Sequence, residues 1–270
     1  MICFPNAKIN IGLNILRRRP DRYHDIETVF YPLAGCCDIL ETVPSGAYSL
    51  QLGGIGMQCP TEDNLVTKAY RLLAADFPLP PMQVYLHKQI PFGAGLGGGS
   101  ADAAFLLKSL NESCSLGLNT GQLQAYAARL GADCSFFIRN EAVFATGRGD
   151  VFSDIRLSLQ GYWLVLVKPD IFVSTPEAYA GVTPRLPEHP LPELLKQPIE
   201  TWKDTVVNDF EPSVFAAHPL IGHLKQQLYE AGALYASMSG SGSSVYGLFR
   251  EETGLKEAFK DCHYWAGFLS

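Results

Sequence analysis

The sequence predicts an α+β protein of two domains, on three observations. The first forty-odd residues alternate between apolar and polar side chains, as strands of a half-buried sheet do. A glycine-rich loop, residues 91–101, stands between an apolar β-type run and an alanine-rich helix start. After Pro169 several prolines separate further strand-like and helix-like patterns. The 270 residues can form two moderate domains, which we place at residues 1–155 and 156–270.

Apolar periodicity and the positions of glycine and proline predict the elements in order. In the first domain we expect strands at 7–15, 26–31, 38–43 and 82–87, a polar loop at 17–24, helices from 61, from 100 to about 114 and at 121–130, and strands at 135–138 and 142–146. In the second we expect a strand at 162–167, a proline-rich connection after Pro169, helices at 220–230 and 254–260, and strands at 235–238 and 245–249.

The glycine-rich loop predicts a phosphate site. Five of the seven residues from Gly93 to Gly99 are glycines, and Ser100 follows as the expected cap of a helix. Such a backbone bends sharply and turns bare N–H groups toward an oxyanion. The start of a helix adds unpaired N–H groups and the positive end of the helix dipole.

Three familiar glycine loops do not fit. A Walker A loop requires a lysine before the serine, whereas Gly99 stands there. The spacing of Gly93, Gly95 and Gly98 matches a dinucleotide fingerprint, but no second strand ending in a carboxylate follows. A protein-kinase loop requires a downstream Val-Ala-Ile-Lys strand and a His-Arg-Asp motif, and the sequence contains neither. The loop therefore belongs to another class.

From Pro91 to Ala101 the chain resembles the second motif of the GHMP kinases, Pro-x-x-x-Gly-Leu-Gly-Ser/Gly-Ser-Ser/Ala. The resemblance implies ATP as the phosphate donor and a two-domain fold, with an N-terminal domain like ribosomal protein S5 domain 2, a ferredoxin-like C-terminal domain and an active site in the cleft between them. The residues that it places around ATP are Pro91, Phe92, Gly93, Ala94, Gly95, Leu96, Gly97, Gly98, Gly99, Ser100 and Ala101, together with Asn64 and Lys88.

Two further motifs occur in the order that the family has them. Lys8 and Asn10 lie on one face of the first strand by alternation, and they match the first motif, Pro-x-Ala-Lys-Ile/Leu-Asn. The turn at 237–245, rich in serine and glycine, resembles the third motif. Asp133, in Gly-Ala-Asp, matches the family's catalytic base. By this resemblance Asp133 accepts the proton of the substrate hydroxyl, and Lys8 keeps Asp133 ionised and neutralises the transferring phosphoryl group.

The resemblance narrows to isoprenoid-pathway kinases whose substrate carries a cytidine diphosphate group. Tyr23 and His24 match a Tyr-His pair of these kinases, although Arg22 replaces their glycine. Tyr179 follows a Thr-Pro pair at the family's offset. The resemblance implies that Tyr23 and Tyr179 sandwich cytosine, that His24 hydrogen-bonds the base and that Asn10 contacts the substrate. Mg²⁺ is expected to bridge the phosphates, with Ser100 as a candidate ligand.

Two alternatives remain open: another GHMP kinase for a small alcohol of the homoserine or mevalonate type, and a non-catalytic nucleotide-binding protein on the same scaffold. The net charge of −6 argues against nucleic acid as a partner. The apolar runs are too short to cross a membrane, and the N-terminus does not resemble a signal peptide, so we expect a cytoplasmic protein. Seven cysteines without a Cys-x-x-Cys pair predict reduced, mostly buried thiols. The sequence does not predict an oligomeric state.

Overall fold

The structure, a computed structural model, describes residues 1–56 and 60–270 and confirms the α+β class. The strands are β1 Ile2–Cys3, β2 Asn6–Arg18, β3 His24–Cys37, β4 Ile39–Pro44, β5 Ser49–Gly54, β6 Met82–Lys88, β7 Val143–Thr146, β8 Val151–Asp154, β9 Trp163–Lys168, β10 Tyr235–Met238, β11 Val245–Phe249 and β12 His263–Phe268. The α-helices are α1 Leu65–Ala74, α2 Gly98–Ser113, α3 Thr120–Ala128, α4 Phe136–Arg139, α5 Thr175–Ala180, α6 Leu191–Leu194, α7 Trp202–Thr205, α8 Glu211–Ala217 and α9 Pro219–Glu230.

The first of two compact units comprises Met1–Ala7, Cys36–Phe92 and Gly97–Glu141. Its sheet has the strand order β1-β4-β6-β5, in which β5 and β6 run parallel and the other pairs antiparallel. Strand β6 alternates between buried and more exposed positions, which is typical of a sheet covered on one face. Helices α1 and α2 pack against each other. The end of β6 and the start of α2, which lie on either side of Gly93–Leu96, both belong to this unit.

The second unit comprises Lys8–Gly35, Gly93–Leu96 and Ala142–Ser270. It contains a sheet of order β2-β3-β7-β8 and an antiparallel sheet of order β10-β11-β9-β12. Helix α9 packs on β10 and β11 through its buried residues Ile221, Leu224 and Leu228. The four loop residues Gly93–Leu96 belong to this unit, as do Lys8 and Asn10. The predicted domain boundary near residue 155, which divides the chain once, stays a prediction.

Two predicted elements are wrong. Residues 135–138 are expected to form a strand, but Phe136–Arg139 is the short helix α4, which ends at Asn140 with a φ of 57°. A short apolar run does not distinguish a strand from a buried helical turn, and Phe136, Phe137 and Ile138 are all buried. The expected helix at 254–260 is a series of turns, in which Ala258 N–H and Phe259 N–H each bond to a carbonyl three residues back.

The structure also shows how far the cysteines are buried and whether any described helix could cross a membrane. Six cysteines are free thiols, of which Cys36 and Cys134 are buried and the others half-buried, so the expectation of mostly buried thiols is wrong. The seventh, Cys59, lies outside the described residues. In the described part of the chain, every helix is too short or too polar to cross a bilayer.

Candidate active site

Strand β2 places the first motif. Lys8 is only 4 % exposed, although its side chain carries a charge. Its Nζ donates hydrogen bonds to Asn10 Oδ1 at 2.5 Å and to the Gly95 carbonyl at 3.0 Å. The predicted shared face of Lys8 and Asn10 is therefore confirmed. A buried ammonium needs such partners to offset its lost hydration, and these partners hold it beside the glycine loop.

The third motif meets the first motif at the same point. Ser239 is fully buried; its hydroxyl donates to the Gly95 carbonyl at 2.8 Å and accepts from Asn10 N–H at 3.2 Å. A Cβ on Gly95, whose φ is +74°, would lie 1.9 Å from the Ser239 carbonyl oxygen. Asn208 fixes the turn by donating to the carbonyls of Met238 and Gly240 at 2.8 and 2.9 Å. The three sequence motifs thus converge on the backbone of Gly95, which must be glycine.

Helix α2 begins two residues earlier than predicted. The sequence indicates Ser100 as the cap, but the helix starts at Gly98, and its cap is Gly97 in the left-handed conformation with a φ of 71°. No side chain caps this end. Only glycine enters that conformation without strain. The first N–H groups of the helix are consequently left for an anion, which fits the predicted phosphate site.

The turn that carries Asp133 packs against the same helix. Ala132–Cys134 form a short 3₁₀ helix in contact with α2. Cys134 is buried, and burial raises the pKa of its thiol to about 11 against a smaller opposing effect of a hydrogen bond with Ser100. The start of α2 and the Asp133 turn are therefore neighbours within one unit.

Lys88, predicted to lie at the ATP site, has its ammonium group inside the first unit. It is 4 % exposed, and its Nζ bonds to carboxylate oxygens of Asp38 and, at 2.7 Å, of Asp102. The structure thus shows Lys88 as the centre of a buried charge cluster. Sequence reasoning missed both aspartates, and the only signal for Asp102 was a charged residue in an alanine-rich apolar helix.

Asn64, also predicted to lie near ATP, caps helix α1. Its side-chain oxygen accepts from Val66 N–H at 2.9 Å, and the residue is buried. The side chain therefore stabilises the first turn of α1. A contact between Asn64 and ATP stays a prediction.

The predicted base-binding residues lie in the second unit, in an arrangement unlike a simple sandwich. His24 and Tyr179 stack directly, with ring centroids 4.6 Å apart and planes inclined by 14°. The rings of Tyr179 and Phe210 pack edge to face, with centroids 4.8 Å apart and planes inclined by 87°. Tyr23 is 59 % exposed, and the guanidinium of Arg148 lies 5.2 Å from its ring centroid. His24 thus covers part of the ring that is expected to stack on cytosine.

His24 is suited to hydrogen bonding as a neutral ring. Burial lowers the pKa of its imidazole below the ordinary value, and the charge of Arg18 acts in the same direction. A neutral imidazole has one donor and one acceptor nitrogen. His24 can therefore recognise a neutral heterocycle at neutral pH.

A cavity of about 330 Å³ lies elsewhere in the second unit. Asn14, Arg185, His189 and Asp209 contribute polar groups to its wall. None of its lining residues is a predicted site residue. Sequence reasoning gave no signal for this cavity.

Family models and relatives agree with this geometry. Residues 64–141 match the GHMP kinases N-terminal domain, and residues 191–263 match the GHMP kinases C-terminal domain. A protein of Parabacteroides distasonis named 4-diphosphocytidyl-2-C-methyl-D-erythritol kinase is 56 % identical over 272 residues, covering both chains completely. A protein of the same name from Porphyromonas gingivalis is 45 % identical, again over both complete chains.

Solved structures agree as well. A crystal structure of 4-(cytidine 5'-diphospho)-2C-methyl-D-erythritol kinase superposes with a TM-score of 0.83 at 31 % identity, covering 99 % of this chain and 98 % of the other. The mevalonate kinase of Methanococcus jannaschii shares the fold, with a TM-score of 0.69 at 13 % identity over 100 % and 98 % of the two chains. The chain therefore belongs to the GHMP kinase family of ATP-dependent phosphotransferases.

Proposed function

We propose that the chain transfers the γ-phosphoryl group of ATP to the 2-hydroxyl of 4-diphosphocytidyl-2-C-methyl-D-erythritol, giving the 2-phosphate and ADP in the non-mevalonate isoprenoid pathway. The observation that carries the proposal is the meeting of Lys8, Asn10 and Ser239 at Gly95. The substrate is inferred from the names of full-length relatives that are 45–56 % identical. A cytoplasmic location and the lack of a nucleic-acid partner stay predictions.

The phosphate site supplies mainly position and charge. Phosphoryl transfer needs little covalent help from a protein, since charge on the transferred group is stabilised by preorganised donors. The N–H groups at the start of α2, behind Gly97, are such donors. The buried Lys8 ammonium adds a fixed positive charge at Gly95. Each element is held by contacts within its own unit: Gly97 accepts a helical hydrogen bond from Ala101 N–H, and Lys8 is held by Asn10 and Gly95.

Asp133 is proposed as the group that orients and deprotonates the substrate hydroxyl. The hydroxyl oxygen forms the new P–O bond, its proton passes to the Asp133 carboxylate, and the bond between the γ-phosphorus and the bridging oxygen breaks to release ADP. Magnesium is bound mainly by substrate phosphates and a few protein oxygens. The Ser100 hydroxyl, in the first turn of α2, is the proposed protein ligand. The metal when bound would neutralise phosphate charge.

The aromatic residues of the second unit are proposed to bind cytosine. Tyr23 offers an exposed ring, and base stacking on an aromatic side chain is a common mode of nucleotide recognition. His24 is held in place by its stack on Tyr179. If cytosine is to lie between Tyr23 and the face of Tyr179 that His24 covers, His24 must leave that face when the substrate binds. A base that stacks on Tyr23 alone and hydrogen-bonds His24 requires no such movement.

An assay of ADP release against a panel of alcohols tests the proposal. The cytidylyl substrate, homoserine and mevalonate are compared at equal concentrations, with the Lys8→Met variant as the control for contaminating kinases. We expect turnover with the cytidylyl substrate only. Turnover with homoserine or mevalonate instead would establish a small-alcohol kinase. A lack of ADP release with every alcohol, in protein that binds ATP, would favour a non-catalytic nucleotide-binding protein.

A further inference from the structure

Three buried charged side chains lie where the glycine loop joins the rest of the first unit. Lys88 ends strand β6, Asp38 stands between β3 and β4, and Asp102 lies in the first turns of helix α2. They are 4 %, 0 % and 1 % exposed. Removing charges from water costs free energy that their mutual attraction repays only with good geometry, so such a cluster is weak evidence of a contribution to stability alone. Its contacts indicate another use.

Asp38 holds the segment that enters the loop. One carboxylate oxygen accepts from the N–H groups of Gln89 and Ile90, at 2.5 and 2.8 Å, and the other accepts from Lys88 Nζ. Gln89 and Ile90 directly precede Pro91, the first residue of the loop. The Asp38 backbone is itself tied to Pro5 by a hydrogen bond of 2.8 Å. The path of the chain into the loop is therefore fixed by one carboxylate.

Asp102 holds the segment that leaves the loop. Its Oδ2 accepts from Lys88 Nζ at 2.7 Å, which joins helix α2 to the end of β6. Gly98, the first residue of α2, lies close to the same amine, since a Cβ there would be 3.3 Å from Lys88 Nζ. Lys88 thus connects the two ends of the loop through one carboxylate on each side. The second oxygen of Asp102 has no hydrogen-bond partner among the described residues.

We propose that Asp38, Lys88 and Asp102 are positioning residues, whose side chains set the separation of the two ends of the glycine loop and thereby its affinity for the phosphates of ATP. This inference rests on the proposed assignment of the loop to those phosphates. The side chains act through the backbone of Gln89, Ile90 and Gly98, because Lys88 Nζ bonds to both carboxylates and Asp38 also accepts from the N–H groups of Gln89 and Ile90. A misplacement of about 1 Å caused by a change far from the reacting atoms can cost an enzyme on the order of 10²-fold in rate, so the separation of the two loop ends matters for function.

The test measures KM for ATP, kcat and Tm in the full chain with saturating cytidylyl substrate. Asp102→Ala breaks the link between Lys88 and α2 but leaves Lys88 and Asp38 as a neutral pair, and alanine is a good helix former. We expect KM for ATP to rise about tenfold or more, with a smaller change in kcat. Asp102→Asn keeps an oxygen for Lys88 Nζ and should restore most of the affinity.

Two controls distinguish the outcomes. Leu110→Ala removes a fully buried side chain from the same helix, away from the loop, and should lower Tm without changing KM for ATP. An Asp102→Ala variant that lowers Tm but leaves KM for ATP unchanged overturns the inference. Gly98→Ala reports on the loop itself: if it raises KM for ATP while Asp102→Ala does not, only the inference fails. If neither variant changes KM for ATP, the assignment of the loop to ATP fails as well.

Discussion

The glycine loop and the aromatic cluster differ in how completely the protein builds them. At the loop, the Gly95 carbonyl accepts hydrogen bonds from both Lys8 Nζ and the Ser239 hydroxyl, and Ser239 lies 144 positions away in sequence. In the aromatic cluster, which comprises Tyr23, His24, Tyr179 and Phe210, the ring of Tyr23 is largely exposed and lies next to the guanidinium of Arg148. A rigid, prebuilt loop suits a donor whose phosphates must be placed precisely. The exposed ring of Tyr23 suits a base that binds by stacking its own face on that ring.

The largest effect should follow from a change that leaves both regions intact. Asp133→Asn keeps the size of the side chain but removes the proposed base, so kcat should fall by at least ~10²-fold. KM for ATP and for the cytidylyl substrate should stay close to the wild-type values, because Asp133 is proposed to bind neither the ATP phosphates nor the cytosine base. Steady-state kinetics with both substrates checks this. Turnover near the wild-type rate would place the base at another residue.

The next effect tests whether the contact between Gly95 and Ser239 holds the loop in place. Gly95→Ala directs a Cβ into the Ser239 carbonyl and also strains a positive φ. Gly117 is the matched control, since its φ of +72° is nearly the same but a Cβ there meets nothing within 4 Å. We expect Gly117→Ala to cost about 1 kcal/mol of unfolding free energy, and Gly95→Ala to cost roughly 3 kcal/mol or more.

Denaturant unfolding of the two variants gives that comparison. In addition, Gly95→Ala should lose activity beyond its loss of stability, whereas Gly117→Ala should retain it. Equal unfolding free energies in the two variants would show that the contact between the loop and the third motif is not tight in solution.

A smaller, pH-dependent effect on the free energy of unfolding should come from the buried charge cluster of Asp38, Lys88 and Asp102. Burial raises the pKa of Asp102 to about 7, with Asp38 adding to the rise and Lys88 opposing it. Between the ordinary value of 3.8 and this value, folded protein keeps a proton that unfolded protein has lost. Stability from this group therefore falls as pH rises through that range, by at most about 1.4 kcal/mol per pH unit, and levels off above pH 7.

The measurement is the unfolding free energy of wild type and Asp102→Asn from pH 5 to pH 8. The asparagine variant lacks the titration, so its stability relative to wild type should increase with pH up to about 7 and then become constant. A difference that is independent of pH would mean that Asp102 is ionised throughout this range.

The parts of the site that the sequence predicted are those that depend on local geometry. Alternation along one strand places Lys8 and Asn10 on a shared face, and the glycine spacing marks a tight loop before a helix. The approach of Ser239 to Gly95, and of Asp38 to Lys88, depends on packing between distant segments. A single sequence contains no local signal for such approaches.

The remaining errors also have physical reasons. A strand is expected at 135–138, where the structure has a helix, because the short apolar run at 136–138 fits either a strand or a buried helical turn. The cap of α2 is Gly97 and not the predicted Ser100, because a glycine in the left-handed conformation can begin a helix without a hydrogen bond from a side chain. The stack of His24 on Tyr179 was not predicted because the family resemblance assigns each residue a contact with cytosine and does not indicate a contact between the two residues.

The most direct test of the difference between the two regions is a crossed measurement of KM for ATP and for the cytidylyl substrate in two variants. Gly98→Ala pushes a Cβ to 2.9 Å from Ile90 Cγ2 and distorts the loop only. Tyr23→Ala removes the exposed ring only. We expect Gly98→Ala to raise KM for ATP alone, and Tyr23→Ala to weaken the cytidylyl substrate alone by ~1–3 kcal/mol, with Tyr23→Phe near wild type. In Tyr23→Ala, an unchanged KM for the cytidylyl substrate or a raised KM for ATP would contradict the account.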